Sequence, residues 1–200
     1  LIITLGYNVV EFAPFHWNKR KDRKIIHIDF KPSEVDEYYN PNLEVVGDVS
    51  NTLWVLREKL KNEPKKNPDY FLRLRQAILK DHEEKINDNS FPLKPQRIIY
   101  DIRKSLNDSD IVVSDVGMHK IWTARMYKTY EPNTCLIDNG LCSMGIALPG
   151  AIAAKLVHPD KKVVVVCGDG GFLMNSQEIE TAMRLGLSLV IVIFNDSKYG

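Results

Sequence analysis

The sequence predicts an α/β protein with parallel sheets, its 200 residues divided into two parts. Three observations carry that expectation. The run Val163-Val164-Val165-Val166-Cys167 leads into Gly168-Asp169-Gly170, and Leu189-Val190-Ile191-Val192-Ile193-Phe194 leads into Asn195. Continuous apolar runs of strand length, rich in β-branched residues and closed by turn residues, read as strands buried on both faces of a parallel sheet. Between them, residues 176–187 carry a helical stripe of Ile179, Ala182, Met183 and Leu185, so the unit is strand, helix, strand in a right-handed crossover. From about residue 96 strands and helices alternate throughout, as in a doubly wound sheet.

The elements follow in order. Residues 1–5 and 24–29 read as strands, and Gly47-Asp48-Val49-Ser50 as a turn and cap before a helix over 51–60, since a carboxylate there accepts from the free N–H groups of the first turn. Residues 61–95 change character. A polar, proline-broken stretch, Lys61-Asn62-Glu63-Pro64-Lys65-Lys66-Asn67-Pro68, precedes a mixed-charge helix over about 69–84 and the loop Asn87-Asp88-Asn89-Ser90-Phe91-Pro92. That composition marks a connector between domains. A helix from 96 to about 106 opens the second part, followed by a strand at 111–113 and the loop Ser114-Asp115-Val116-Gly117. A helix through Trp122 and Ala124, a short strand at 135–137 and an apolar, small-residue helix over 143–157 complete it up to the strand–helix–strand unit. The chain opens within a strand, without an initiating Met, and closes at Gly200 shortly after another; it is expected to be a segment of a longer polypeptide.

Composition narrows the function classes. With 44% hydrophobic and 26% charged residues the chain is that of an ordinary globular protein. A formal net charge of +1 offers no electrostatic footprint for nucleic acid or an anionic membrane surface. No apolar run approaches the roughly 18 residues of a spanning helix, and no signal peptide is visible. Cys135, Cys142 and Cys167 are odd in number and lack a Cys-x-x-Cys spacing. They read as reduced, mostly buried thiols of a cytoplasmic protein.

Asp169 and Asn195 fall at the carboxyl ends of two parallel strands, the edge where open α/β sheets bind ligands. A carboxylate and an amide oxygen converging there suit a hard divalent cation. Glycines let backbone approach an anion closely, and free N–H groups at a helix start favour phosphate. A metal held with a diphosphate is the economical reading. The loops Asp115-Val116-Gly117 and Asp138-Asn139-Gly140 follow other strands and would share the same rim. Two plainer readings stand beside it: an Asx-type turn at Asp169, and a Rossmann-type nucleotide module in which Asn195 is incidental, although no Gly-x-Gly-x-x-Gly follows any strand. On periodicity alone Met144 is a core residue, and a lone His119 is an ordinary structural histidine.

Gly168-Asp169-Gly170, separated from Asn195 by 24 residues (171–194), resembles the signature of thiamine diphosphate-dependent enzymes. Asp115-Val116-Gly117-Met118-His119-Lys120-Ile121-Trp122 resembles the Gly-x-His-x-x-Trp loop of the acetolactate synthase group. Asn139-Gly140-Leu141-Cys142-Ser143-Met144-Gly145-Ile146-Ala147-Leu148-Pro149 resembles that group's segment under the cofactor. Leu5-Gly6-Tyr7-Asn8, Trp17-Asn18, Ile25-Ile26-His27-Ile28-Asp29 and Gly47-Asp48 resemble its central domain, and Tyr130-Glu131-Pro132 with Asp138-Asn139-Gly140 resembles the catabolic type.

The resemblance implies two doubly wound parallel-sheet domains of the thiamine diphosphate-binding type, both incomplete here. Residues 1–60 would be the C-terminal part of the central domain, 61–95 a connector with a helix, and 96–200 the N-terminal part of the domain that binds the diphosphate and Mg²⁺. It implies Asp169 and Asn195 as side-chain ligands of Mg²⁺, with the backbone carbonyl of Ser197 as a third. Gly117, Met118, His119, Ser143, Gly168, Gly170, Gly171, Phe172, Lys198, Tyr199 and Gly200 would line the cofactor. Met144 would wedge between its two rings and hold the bent conformer that reaches thiazolium C2. The implied reaction decarboxylates pyruvate and joins the two-carbon fragment to a second pyruvate, giving 2-acetolactate and CO₂. A 2-oxo-acid decarboxylase of the same fold and a non-catalytic relative are the alternatives. Biosynthetic relatives bind FAD and usually carry an Arg in the loop after the first strand; Gly6-Tyr7-Asn8-Val9-Val10-Glu11 has none, so no FAD is expected. The activating glutamate lies outside these residues in the family and comes from a neighbouring subunit, which implies a homodimer or homotetramer with the active site at the interface.

Overall fold

The computed structural model describes residues 1–10, 12–63 and 69–197. It divides the chain into two compact units, residues 1–67 and 68–200.

In the first unit, strands β1 (Ile2–Leu5), β2 (Ile25–Asp29) and β3 (Leu43–Val46) form a three-stranded parallel sheet in the order β1-β2-β3. Ile25, Ile28 and Tyr39 are fully buried in it. The buried His27 is satisfied internally, its Nδ1 lying 2.8 Å from the Tyr39 hydroxyl, which meets Thr4 Oγ1 at 2.6 Å. Asp48 caps helix α1 (Val49–Lys59) by accepting from the Asn51 N–H, so the predicted cap holds and the helix starts two residues earlier than its apolar pattern. Strand β3 carries the pattern Leu43-Glu44-Val45-Val46 with none of its residues buried, and so leaves no clear mark in the sequence.

The second unit opens with α2 (Asp69–Ile86), which packs on α3 (Pro95–Lys104). There follow β4 (Ile111–Ser114), α4 (Met118–Met126), β5 (Cys135–Ile137), α5 (Ala147–Val157), β6 (Val163–Gly168), α6 (Asp169–Asn175), α7 (Glu178–Arg184) and β7 (Val190–Phe194). The strands make one parallel sheet in the order β5-β4-β6-β7. Its central strands alternate between two cores, as the strand period of two requires. Ile111, Val113, Val163, Val165 and Cys167 face α5 and α7, while Val112, Val164 and Val166 face α3 and α4. Both faces are covered by helices, the doubly wound α/β arrangement expected.

The strand order fixes where a ligand can enter. From β4 the chain turns to β5 on one side, and from β6 it turns to β7 on the other. The crossovers therefore leave in opposite directions from two strands that are hydrogen-bonded neighbours, opening a crevice at their carboxyl ends.

Four expectations need correction. The helix predicted from 143 starts at Ala147, because Cys142 and Gly145 take positive φ (35° and 88°) and the Ser143 and Gly145 N–H groups are drawn off by carboxylates. Helix α6 begins directly at Asp169, so Gly168-Asp169-Gly170 is a helix start and the crossover holds two short helices. Strand β7 is not buried on both faces: Val190 and Ile193 are 57% and 40% exposed. It pairs with β6 alone among the described residues, and beside it lies an open groove of about 630 Å³ lined by Ile102, Val164, Val190 and Val192. Of the predicted stripe on α7, Ala182 is buried and Met183 is 76% exposed.

These placements separate two apolar residues by consequence. Val165→Ala, at a fully buried site between β4 and α5, should cost about 2 kcal/mol in denaturant unfolding. Met183→Ala should stay within about 0.5 kcal/mol.

Candidate active site at the β4–β6 crevice

The parallel register aligns four strand ends. Ser114 pairs with Val166 and with Ile137, and Gly168 pairs with Phe194. The residues that follow, Asp115, Asp138, Asp169 and Asn195, therefore emerge along one rim. Asp169 and Asn195 each come directly after a member of the Gly168–Phe194 pair.

Gly117 and Gly171 make room for buried side chains beside the end of β4. A Cβ on Gly117 would meet His119 Cε1 at 2.8 Å, whereas one on Gly168 would meet it at 3.4 Å, an ordinary contact. The His119 ring thus lies in space left by Gly117 and against Gly168, tilted against Phe194 with centroids 6.0 Å apart. A Cβ on Gly171 would meet Asp115 Oδ2 at 2.8 Å. Glycine at 171 answers to a buried neighbour.

His119 is 5% exposed, and its Nε2 is buried without a partner among the described residues. Burial pushes its pKa below the ordinary 6.5, opposed by the charge of Asp115 and by a hydrogen bond to the Asp115 backbone. A neutral ring with one unsatisfied nitrogen beneath Gly168 is a polar group without its counterpart, which costs free energy unless a ligand atom completes it. At the start of α6, Asp169 makes no side-chain hydrogen bond or ion pair among the described residues. Asn195 Oδ1 accepts from the Ser197 N–H at 3.1 Å and from its hydroxyl at 3.3 Å, with Ser197 at φ 58°. This tight turn brings Ser197 back to the Asn195 side chain. Among the described residues no group of three or more His, Cys, Asp or Glu side chains could hold a metal; one carboxylate, one amide and a backbone carbonyl would be a donor set of a different kind, of the hard-oxygen type that suits Mg²⁺. The unpaired Asp169 and the orphaned Nε2 of His119 fit a metal with an anionic group.

The segment 138–146 is pinned from several sides. Asp138 accepts the Ser143 N–H at 3.0 Å, and the Lys120 ammonium reaches the Asp138 carbonyl and Cys142 Sγ, the latter at 3.0 Å. Asp115, 1% exposed, accepts from Val116 N–H and from Gly145 N–H. Asn175, the last residue of α6, donates its amide to the Gly145 carbonyl at 2.9 Å. Met144 is 37% exposed and belongs to neither core cluster, so its apolar side chain is not packing filler. Ser143 is exposed, and Met118, the first residue of α4, is 51% exposed. Lys120 and Asn175 were not singled out from the sequence, and the Asp115 and Asp138 loops were placed on the rim without a role for either side chain. The one legible signal was the repeated acid directly after a strand at 115, 138 and 169. Lys198, Tyr199, Gly200 and Glu11 lie outside the described residues. The three cysteines are free; burial pushes Cys135 up to about 11 and Cys167 to about 12, leaving both unreactive.

Fold and crevice together define a parallel α/β domain with a ligand crevice at a topological switch point. The chain matches, over residues 115–200, the model described as thiamine pyrophosphate enzyme, C-terminal TPP binding domain. It is similar along its whole length to the acetolactate synthase of Bacillus subtilis (strain 168), 38% identical over 208 residues that cover 100% of this chain and 35% of that protein. It is 37% identical over 203 residues to the catabolic acetolactate synthase of Raoultella terrigena, with 100% and 36% covered. Similarity to the probable acetolactate synthase large subunit of Methanocaldococcus jannaschii is 35% over 185 residues, with 90% and 31% covered. The chain spans about a third of the length of these relatives.

The buried His119 sets a pH dependence of stability. Its folded pKa lies below the unfolded value of 6.5, so the unfolded chain takes up the proton first. The stability tied to the neutral ring is complete above about pH 6.5 and is lost as pH falls through the folded pKa. Urea unfolding between about pH 7 and 5 should show that decline, and His119→Gln should reduce it.

Proposed function

We propose that the chain is part of a thiamine diphosphate- and Mg²⁺-dependent acetolactate synthase, which converts two pyruvates to 2-acetolactate and CO₂. The observation that carries this reading is the alignment with acetolactate synthases across the whole chain. The crevice chemistry supports it: an unpaired carboxylate, a neighbouring strand-end amide and an orphaned imidazole nitrogen. Among the described residues no helix is long and apolar enough to cross a membrane.

In this reading Asp169 Oδ, Asn195 Oδ1 and the Ser197 carbonyl hold Mg²⁺, and Asn195 gives up its contact with the Ser197 hydroxyl to do so. Backbone N–H groups of Gly170, Gly171 and Phe172 face the phosphates. An anionic phosphate would favour the protonated His119 ring, whose Nε2–H would donate to a phosphate oxygen while its other polar contact at the Asp115 backbone fixes the ring. Gly117, Met118 and Ser143 border the same space, Lys198, Tyr199 and Gly200 continue it past Ser197, and Met144 offers the apolar support for the cofactor's rings. Bound thiamine diphosphate supplies the electron sink for decarboxylating a 2-oxo acid and for adding the retained carbon to a second keto group. The chain's own residues bind, orient and shield; the glutamate that activates the cofactor belongs to a neighbouring subunit of a cytoplasmic homodimer or homotetramer. The first unit binds no FAD.

The full-length protein should form 2-acetolactate from pyruvate only when thiamine diphosphate and Mg²⁺ are both present. Acetaldehyde in its place would move the assignment to a decarboxylase. Asp169→Ala should abolish Mg²⁺-dependent cofactor binding, and undiminished binding would remove the metal assignment. FAD titration should give no saturable flavin spectrum.

A further inference from the structure

We propose that Asp115 is a positioning residue that sets Met144 against the diphosphate rim; this rests on the cofactor reading above. Its carboxylate sits at the end of β4, 1% exposed, with no cation against it among the described residues. A buried carboxylate is tolerated when strong donors surround it, and these donors come from different loops. Oδ1 accepts the Val116 N–H at 2.7 Å, and the Gly145 N–H reaches Oδ1 at 2.9 Å and Oδ2 at 3.0 Å. On its other side Oδ2 occupies the space a Cβ at Gly171 would need, 2.8 Å away. One side chain thus touches the loop after β4, the segment carrying Met144, and the first turn of α6.

Gly145 is held at both ends of its backbone. Asp115 takes its N–H, and Asn175 at the far end of α6 donates to its carbonyl. It adopts φ +88°, and a Cβ there would come within 2.7 Å of Asn175 Nδ2, so no other residue fits without displacing the clamp. Met144 precedes it and has no such anchoring in either core. Its height above the rim is therefore set through Gly145, by the same carboxylate that packs against Gly171 in the first turn of α6. Asp115 couples the apolar support for the rings to the element that carries the diphosphate. It would touch neither the rings nor the diphosphate, and acts through Gly145 and Gly171.

The test uses the full-length protein with Asp115→Ala, the conservative Asp115→Asn, and Gly171→Ala, which pushes on the same carboxylate from the opposite side. In the cofactor-free protein, amide hydrogen exchange at Gly145 should quicken by about ten-fold or more in Asp115→Ala, and less in Asp115→Asn, which keeps one accepting oxygen. With thiamine diphosphate and Mg²⁺ bound, hydrogen–deuterium exchange at thiazolium C2 should slow about ten- to a hundred-fold, the order expected for a displacement near 1 Å. Cofactor Kd should change by less than this, and Gly171→Ala should reproduce the pattern with Asp115 intact. Unchanged exchange at Gly145 in Asp115→Ala would overturn the clamp. Equal losses in Kd and C2 exchange would reduce Asp115 to packing. A wild type that binds no thiamine diphosphate would overturn the parent reading and the cofactor-directed role with it, while exchange at Gly145 would still decide the clamp.

Discussion

The parallel ladder between β4 and β6, running from Ile111↔Val163 to Ser114↔Val166, is the constraint from which the rest of the second unit follows. It joins two strands whose crossovers leave in opposite directions, so their carboxyl ends stay uncovered while both faces of the sheet are sealed by helices. The register also decides which residues can meet. Asp115 and His119 on one side reach Gly171 and Gly168 on the other because β4 ends opposite Val166, two residues before β6 does. A shift of one residue would turn every inward valine of β6 to the opposite core and separate those pairs.

Two buried polar side chains then organise the rim in complementary ways. Asp115 is satisfied by backbone donors and holds the surrounding segments together. His119 keeps a buried nitrogen without a partner, and its lowered pKa favours the neutral ring at physiological pH. One group closes the scaffold and the other leaves a valence for a ligand. Folded cores seldom tolerate the second kind without a functional counterpart.

Much of this was legible in the sequence. The β-branched runs at 163–167 and 189–194 gave two strands, and the terminal acid and amide gave the rim. What escaped had a physical cause in each case. Helix α6 was hidden because Gly168-Asp169-Gly170 reads as a turn, and the next residue, Gly171, is glycine because Asp115 Oδ2 fills the space of its Cβ, a contact that periodicity does not encode. The later start of α5 reflects competition by Asp115 and Asp138 for N–H groups of the preceding segment. Met183 fell in an apolar stripe but points to solvent, since α7 spans only Glu178–Arg184 and buries Ala182 alone. Asp115 was visible as a letter in a motif; its role depended on a partner 30 residues away.

The central claim is that the β4–β6 crevice binds a diphosphate through a metal held by Asp169 and Asn195. Calorimetric titration of the full-length protein with thiamine diphosphate and with thiamine, each with Mg²⁺ and after chelation, tests it most directly. The account predicts saturable binding of thiamine diphosphate with Mg²⁺, lost on chelation and absent for thiamine. Equal affinity for thiamine, or binding indifferent to Mg²⁺, would contradict it.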